Sequence, residues 1–164
     1  MNSKIKTLSE FNAIKNKLSN KTIVFTNGCF DIIHAGHISY LKKAKEMGDY
    51  LVVGLNSDES VNRIKGEKRP INSENDRALV LSALYFVDCV IIFNEDTPEQ
   101  LIRSIKPKIL VKGADWKGKN VAGCDFVKSY GGGCVFIQLL KNRSTTSIVK
   151  KIVERYCKAK SGVT

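Results

Sequence analysis

Both histidines of this 164-residue chain fall in one stretch, Thr26-Asn27-Gly28-Cys29-Phe30-Asp31-Ile32-Ile33-His34-Ala35-Gly36-His37. Three residues apart in the first turn of a helix, His34 and His37 share a face. They sit beside backbone N–H groups with no intrahelical partner, at the positive end of the helix dipole. Anions bind at such a site, phosphate above all. A cap and a packed imidazole would account for one histidine. Two at the same strand-to-helix turn, beside a Gly28 that admits close approach, favour phosphate contact. Zinc on Cys29, His34 and His37 is a weaker reading, because the spacing fits no common zinc pattern and no fourth ligand is indicated. Magnesium held mainly by phosphates is the expected metal.

A second cluster, Asn142-Arg143-Ser144-Thr145-Thr146-Ser147, precedes the apolar positions Ile148, Val149, Ile152 and Val153. One helix cap needs one hydroxyl, whereas four in a row beside an Arg make a second anion cradle. Two cradles suit a triphosphate. Gly113-Ala114-Asp115-Trp116 follows an apolar strand directly, so Asp115 can accept from ribose hydroxyls while Trp116 walls the nucleoside; a solvated turn is the equal alternative. Lys65-Gly66-Glu67-Lys68-Arg69-Pro70 reads as a surface loop or as a basic lid over a phosphorylated substrate. Neither GxGxxG nor GxxxxGK[ST] occurs, which argues against nicotinamide dehydrogenases and P-loop kinases.

The elements that must position these residues alternate. The β-branched run Thr22 to Phe25 is a strand covered on both faces, and Ile38, Leu41, Ala44 and Met47 recur at helical spacing after it. Strands follow at Tyr50 to Leu55, Cys89 to Phe93, Ile109 to Val111 and Cys134 to Leu139. Between them the sequence predicts a short helix capped by Ser57 or Asp58, one opened by a Ser73/Asp76 capping box and running through Phe86, and one with Thr97 as N-cap and Pro98 at N1. A helix near Cys124 to Tyr130 ends at Gly131-Gly132-Gly133, and a last helix starts near Ser144 or Thr145. An amphipathic segment, about Ser9 to Leu18, precedes the first strand. The pattern implies an α/β, Rossmann-like, doubly wound parallel sheet of five strands with helices on both faces, and ligands at the carboxyl ends of the strands.

The length suits one domain, read here as residues 1–164 with an N-terminal helix over about 8–19 and a core over about 20–158. With 27 Lys plus Arg against 16 Asp plus Glu, the +11 charge calls for anionic partners. The lysines are scattered, with few aromatics between them, so nucleic acid is the minor reading. The five cysteines are odd in number and form no CxxC pair, which fits a reducing compartment. With no leader-like apolar core and no run approaching a membrane span, the expected location is the cytoplasm, off the membrane.

Gly28-Cys29-Phe30-Asp31 followed by His34-Ala35-Gly36-His37 resembles the HxGH signature of the cytidylyltransferase-like nucleotidyltransferases, and Ser144-Thr145-Thr146 resembles their second phosphate motif. The likeness narrows along Val53 to Asp58, Arg69-Pro70-Ile71-Asn72, Asp76-Arg77-Ala78 and Val111 to Trp116. Together these resemble the bacterial D-glycero-β-D-manno-heptose 1-phosphate adenylyltransferases, over about Leu8 to Ile152. Lys106-Pro107-Lys108 departs from that pattern, carrying lysine where an acidic residue is expected.

The resemblance implies adenylyl transfer from ATP, with Mg²⁺, to the heptose 1-phosphate, giving ADP-heptose and pyrophosphate for lipopolysaccharide core or another surface glycan. It implies a separate kinase and a homo-oligomer. His34, His37 and Lys43 would be catalytic. Thr26, Asn27, Gly28, Cys29, Phe30, Asp31, Gly36, Lys112, Gly113, Asp115, Ser144, Thr145 and Thr146 would bind ATP. Asn56, Asp58, Arg63, Lys65, Arg69 and Arg77 would face the sugar phosphate or close over it. A cytidylyltransferase or adenylyltransferase for another small acceptor, such as glycerol 3-phosphate, keeps the same fold; a non-catalytic nucleotide-binding domain is the further alternative.

Overall fold

A computed structural model describes residues 3–157. Helix α1 (Leu8–Lys15) opens on a reciprocal cap between Thr7 and Glu10, and a 3-10 turn over Asn16–Leu18 continues it. Then follow β1 (Ile23–Gly28), α2 (Ala35–Lys45), β2 (Tyr50–Asn56), α3 (Asp58–Lys65), α4 (Glu74–Ala83), β3 (Cys89–Phe93), α5 (Glu99–Ile105), β4 (Ile109–Gly113), α6 (Cys124–Ser129), β5 (Gly133–Ile137) and α7 (Thr145–Tyr156). The five strands form one parallel sheet, as the alternating pattern predicts, and their order is β3-β2-β1-β4-β5. The order reverses between β1 and β4, so the ligand crevice belongs at their carboxyl ends.

The strands are largely apolar because both faces of the sheet meet helices, with polar residues such as Asn27, Asn56 and Lys112 near their carboxyl ends. Val24, Leu51, Val53 and Leu55 point to the side where Leu41 and Ala44 of α2 and Ala78 and Leu81 of α4 pack. Their neighbours Phe25, Val52, Ile91 and Leu110 point to the other side, against Phe11 of α1, Leu101, Ile102 and Ile105 of α5 and Val127 of α6.

Of the two caps the sequence offers for α3, Ser57 is used, its hydroxyl accepting from Ser60 N. Other local expectations are corrected. Ser73 caps α4, but the Asp76 carboxylate accepts from the Ser73 hydroxyl rather than completing a box, and the helix ends at Ala83 because Leu84 is extended. Pro98 rather than Thr97 precedes α5, with no side-chain cap. Cys124 and Cys134 are joined in a disulfide, Cα to Cα 5.9 Å. The spacing of the cysteines does not anticipate this, because the reversal from α6 into β5 through Gly131, at φ 80°, is what brings them together. The domain limits read from the sequence extend past the described residues at both ends.

Candidate active site

At the carboxyl ends of β1 and β4 lies a cleft of about 640 Å³. Asn27 to Asp31 line it, together with His34 and with Gly36, His37 and Tyr40 of α2. Lys112, Gly113, Asp115 and Trp116 come from β4 and the turn after it, and Arg143 to Thr146 close the cleft from the start of α7.

His34 is the N-cap of α2, its Nδ1 accepting from His37 N at 3.4 Å. That bond assigns the proton of the neutral ring to Nε2, leaving an N–H free to donate. The two imidazoles stack at 3.8 Å between centroids, 18° between planes. Burial holds both below the ordinary histidine value: His37 is pushed down to about 4 by burial and then by His34, and His34 is lowered by burial and then by Arg143. Both are neutral hydrogen-bond donors near pH 7. His37 Nδ1 is buried without a partner among the described residues.

The loop before α2 is held from behind. Phe30 adopts φ 43°, an uncommon conformation for a bulky residue, and sets its ring edge against His37 with centroids 5.2 Å apart. On its far side the buried Asp31 carboxylate accepts from Arg69 Nε, from Ile71 N at 2.8 Å and from Asn72 N at 3.0 Å. Burial opposes ionisation there, yet those donors hold the carboxyl below its ordinary value. On the near side, Arg77 donates to Cys29 O at 2.5 Å, to Asn72 O at 3.0 Å and to Asp58 Oδ1 at 2.7 Å.

Gly36 allows the second phosphate motif to approach: a Cβ there would meet the His34 ring at 2.9 Å and Arg143 Cβ at 3.2 Å. Ser144 caps α7 in a reciprocal box with Ser147, at 3.1 and 3.2 Å. Thr145 Oγ1 donates to Ile32 O at 3.5 Å, tying this motif to the first, while the exposed Thr146 faces the cleft. Lys112, 8% exposed, donates from Nζ to Asn27 Oδ1 and lies 5.4 Å from the Trp116 ring centroid. Burial brings it down to about 8, with Asp115 acting in the opposite sense.

Of the residues singled out from the sequence, Asn56, Lys65 and Arg69 line the cleft with the two phosphate motifs. Thr26, Lys43, Asp58, Arg63 and Arg77 do not. Thr26 is fully buried against Tyr40, and Lys43 points to solvent from the outer face of α2. Asp58 is paired with Arg77, which is itself 1% exposed and braces the loop. Arg63 pairs with Asp96 at 2.8 Å on the surface. Sequence reasoning missed Tyr40, Leu139, Asp96 to Pro98 and Asn120 to Ala122 as lining. Asp96 to Pro98, Asn120 to Ala122 and Leu139 carried a usable signal, because they follow the ends of β3, β4 and β5.

Residues 25–131 match the cytidylyltransferase-like family. The chain is 58% identical over 149 residues to the bifunctional protein HldE of Campylobacter concisus, covering 91% of this chain and 31% of that one. It is 61% identical over 132 residues to the bifunctional protein HldE of Wolinella succinogenes, covering 80% and 27%. The chain thus spans about three-tenths of the length of these curated relatives. Among solved structures, the lipopolysaccharide core biosynthesis protein of Thermoplasma volcanium superposes with a TM-score of 0.61 at 33% identity, covering 75% of this chain and 99% of that one.

Proposed function

The chain belongs to the cytidylyltransferase-like family of nucleotidyltransferases, and from that premise we propose that it transfers the adenylyl group of ATP to D-glycero-β-D-manno-heptose 1-phosphate. The observation that carries this reading is the meeting of two helix N-termini in one cleft, His34 and His37 at the start of α2 and Ser144 to Thr146 at the start of α7. The acceptor follows from the sequence resemblance, with support from the bifunctional HldE relatives and the lipopolysaccharide core biosynthesis protein.

A phosphate oxygen of the sugar 1-phosphate attacks the α-phosphorus of ATP, the α–β bridging bond breaks, and pyrophosphate departs with the electron pair. The acceptor is already ionised at neutral pH, so no general base is needed. Rate comes from positioning and from stabilising the charge that spreads over the phosphates. Neutral His34 and His37 donate N–H to the transferring and leaving groups, joined by N–H groups of α2. Ser144 to Thr146 and the N–H groups of α7 hold the β- and γ-phosphates. Asp115 accepts from the ribose, Asn27 and Lys112 line the nucleotide side, and Gly28 to Asp31 approach through their backbone. Asn56, Lys65 and Arg69 face the sugar phosphate.

Magnesium enters with ATP as part of the substrate. The donor set fits that role: among the described residues no cluster of His, Cys, Asp or Glu is arranged to cage a metal, and Asp31 is fully occupied by Arg69 and the 71–72 backbone. The same reading has the protein working in the cytoplasm, where ATP is, as a homo-oligomer that light scattering on purified protein would measure. No helix among the described residues is long and apolar enough to cross a membrane.

Mass spectrometry after incubation with MgATP and the heptose 1-phosphate tests the reading. ADP-heptose supports it. Unchanged ATP, or a product formed only with glycerol 3-phosphate, overturns it.

A further inference from the structure

The β1–β2 ladder runs from Ile23/Tyr50 to Gly28/Leu55, and β4 pairs with β5 from Ile109 to Gly113. Between β1 and β4, however, the ladder stops after Val24/Ile109 and Phe25/Leu110. Continued in register, the next pairs would be Thr26 with Val111 and Asn27 with Lys112. Side chains span both of those positions. The Tyr40 hydroxyl lies 2.7 Å from Thr26 Oγ1 and donates to Val111 O at 3.0 Å. A phenol has one proton, so Tyr40 gives it to Val111 and accepts the proton of Thr26. One residue further on, Lys112 Nζ donates to Asn27 Oδ1. The opening lies where the strand order reverses.

We infer that Tyr40 is a positioning residue for nucleotide binding, its hydroxyl bridging the splayed ends of β1 and β4 so that Asn27 and Lys112 are held across the mouth of the cleft. The inference rests on the nucleotide-transfer reading. Tyr40 is 8% exposed, and burial raises its hydroxyl above the ordinary tyrosine value, so the bridge keeps its proton. Val111 is the residue before Lys112, and Thr26 the residue before Asn27. Fixing Thr26 Oγ1 and Val111 O therefore fixes the backbone from which both cleft-lining side chains start. Phenylalanine at position 40 would fill the same space, but it leaves the Thr26 hydroxyl and the Val111 carbonyl without this partner. The two strand ends are then free to close together or drift apart.

Calorimetric titration with MgATP tests this without an acceptor. Tyr40→Phe is expected to raise Kd about tenfold, the scale of one lost buried hydrogen bond. Lys112→Ala should raise it at least as much, and Tyr40→Phe should then add clearly less than tenfold in the Lys112→Ala background, the remainder acting through Asn27. Thr26→Val removes the same bridge from the other end and serves if Tyr40→Phe does not fold. A purely structural role would lower melting temperature and leave Kd unchanged. Wild-type affinity in Tyr40→Phe, or an undiminished tenfold loss in the Lys112→Ala background, overturns the inference. A wild type that binds MgATP but does not modify the heptose phosphate sinks the acceptor reading alone; one that binds no MgATP overturns both.

Discussion

The His34 and His37 rings lie face to face at 3.8 Å, and a stack that close in a half-buried site disfavours charge on both rings. The pH dependence of stability follows with a definite sign. His37 has a folded value of about 4, below its ordinary 6.5, so the unfolded chain takes up the proton first as pH falls. Its contribution is complete above about pH 6.5 and is lost progressively down to about 4, on the order of 3 kcal/mol in all. Urea unfolding across this range should show the slope in the wild type and a flatter one in His37→Asn. Equal slopes would mean that the ring is not held neutral.

Gly36 should tolerate no side chain. In Gly36→Ala the new Cβ meets the His34 ring and Arg143 at once, so either the imidazole stack or the approach of the second phosphate motif must give way. Activity is expected to fall at least about tenfold, the scale of a mispositioned catalytic group. Steady-state kinetics on a variant shown to be folded by circular dichroism checks this.

Ser144 and Thr146 separate stability from binding. Ser144→Ala removes the cap of α7 and should cost about 1 kcal/mol, seen as a lower melting temperature as well as weaker ATP binding. Thr146→Ala removes an exposed hydroxyl at the cleft. It should weaken ATP binding with the melting temperature unchanged.

Asp31 holds the loop from behind. Asp31→Ala leaves Arg69 and two backbone N–H groups without their acceptor, an expected loss of about 3 kcal/mol in unfolding free energy. Because the same bonds steady Phe30 against His37, kcat should fall too. A Lys43→Ala control, on the outer face of α2, should leave both within error.

What could be read from the sequence was local. The turn from β1 into α2, the hydroxyl cap of α7 and the alternation of apolar strands with helices depend on residues a few positions apart, and periodicity and capping chemistry report them directly. Arg77 shows where this ends. An arginine in an amphipathic helix reads as a ligand for phosphate, but its three partners, Cys29 O, Asn72 O and Asp58, come from three separate segments, and only the folded chain shows it buried among them. Tyr40 was hidden for the same reason: at helical spacing it reads as core, and its hydroxyl acquires meaning only where β1 and β4 part. The Cys124–Cys134 pairing depends likewise on a reversal that linear spacing does not encode.

The central claim is tested most directly by pyrophosphate release from the heptose 1-phosphate with ATP, CTP and GTP offered separately, in the wild type and in His37→Ala. The account predicts turnover with ATP alone, reduced a hundredfold or more in the variant, the effect expected on removing one preorganised donor to the reacting phosphates. Turnover with CTP alone, or a His37→Ala enzyme as fast as the wild type, would contradict it.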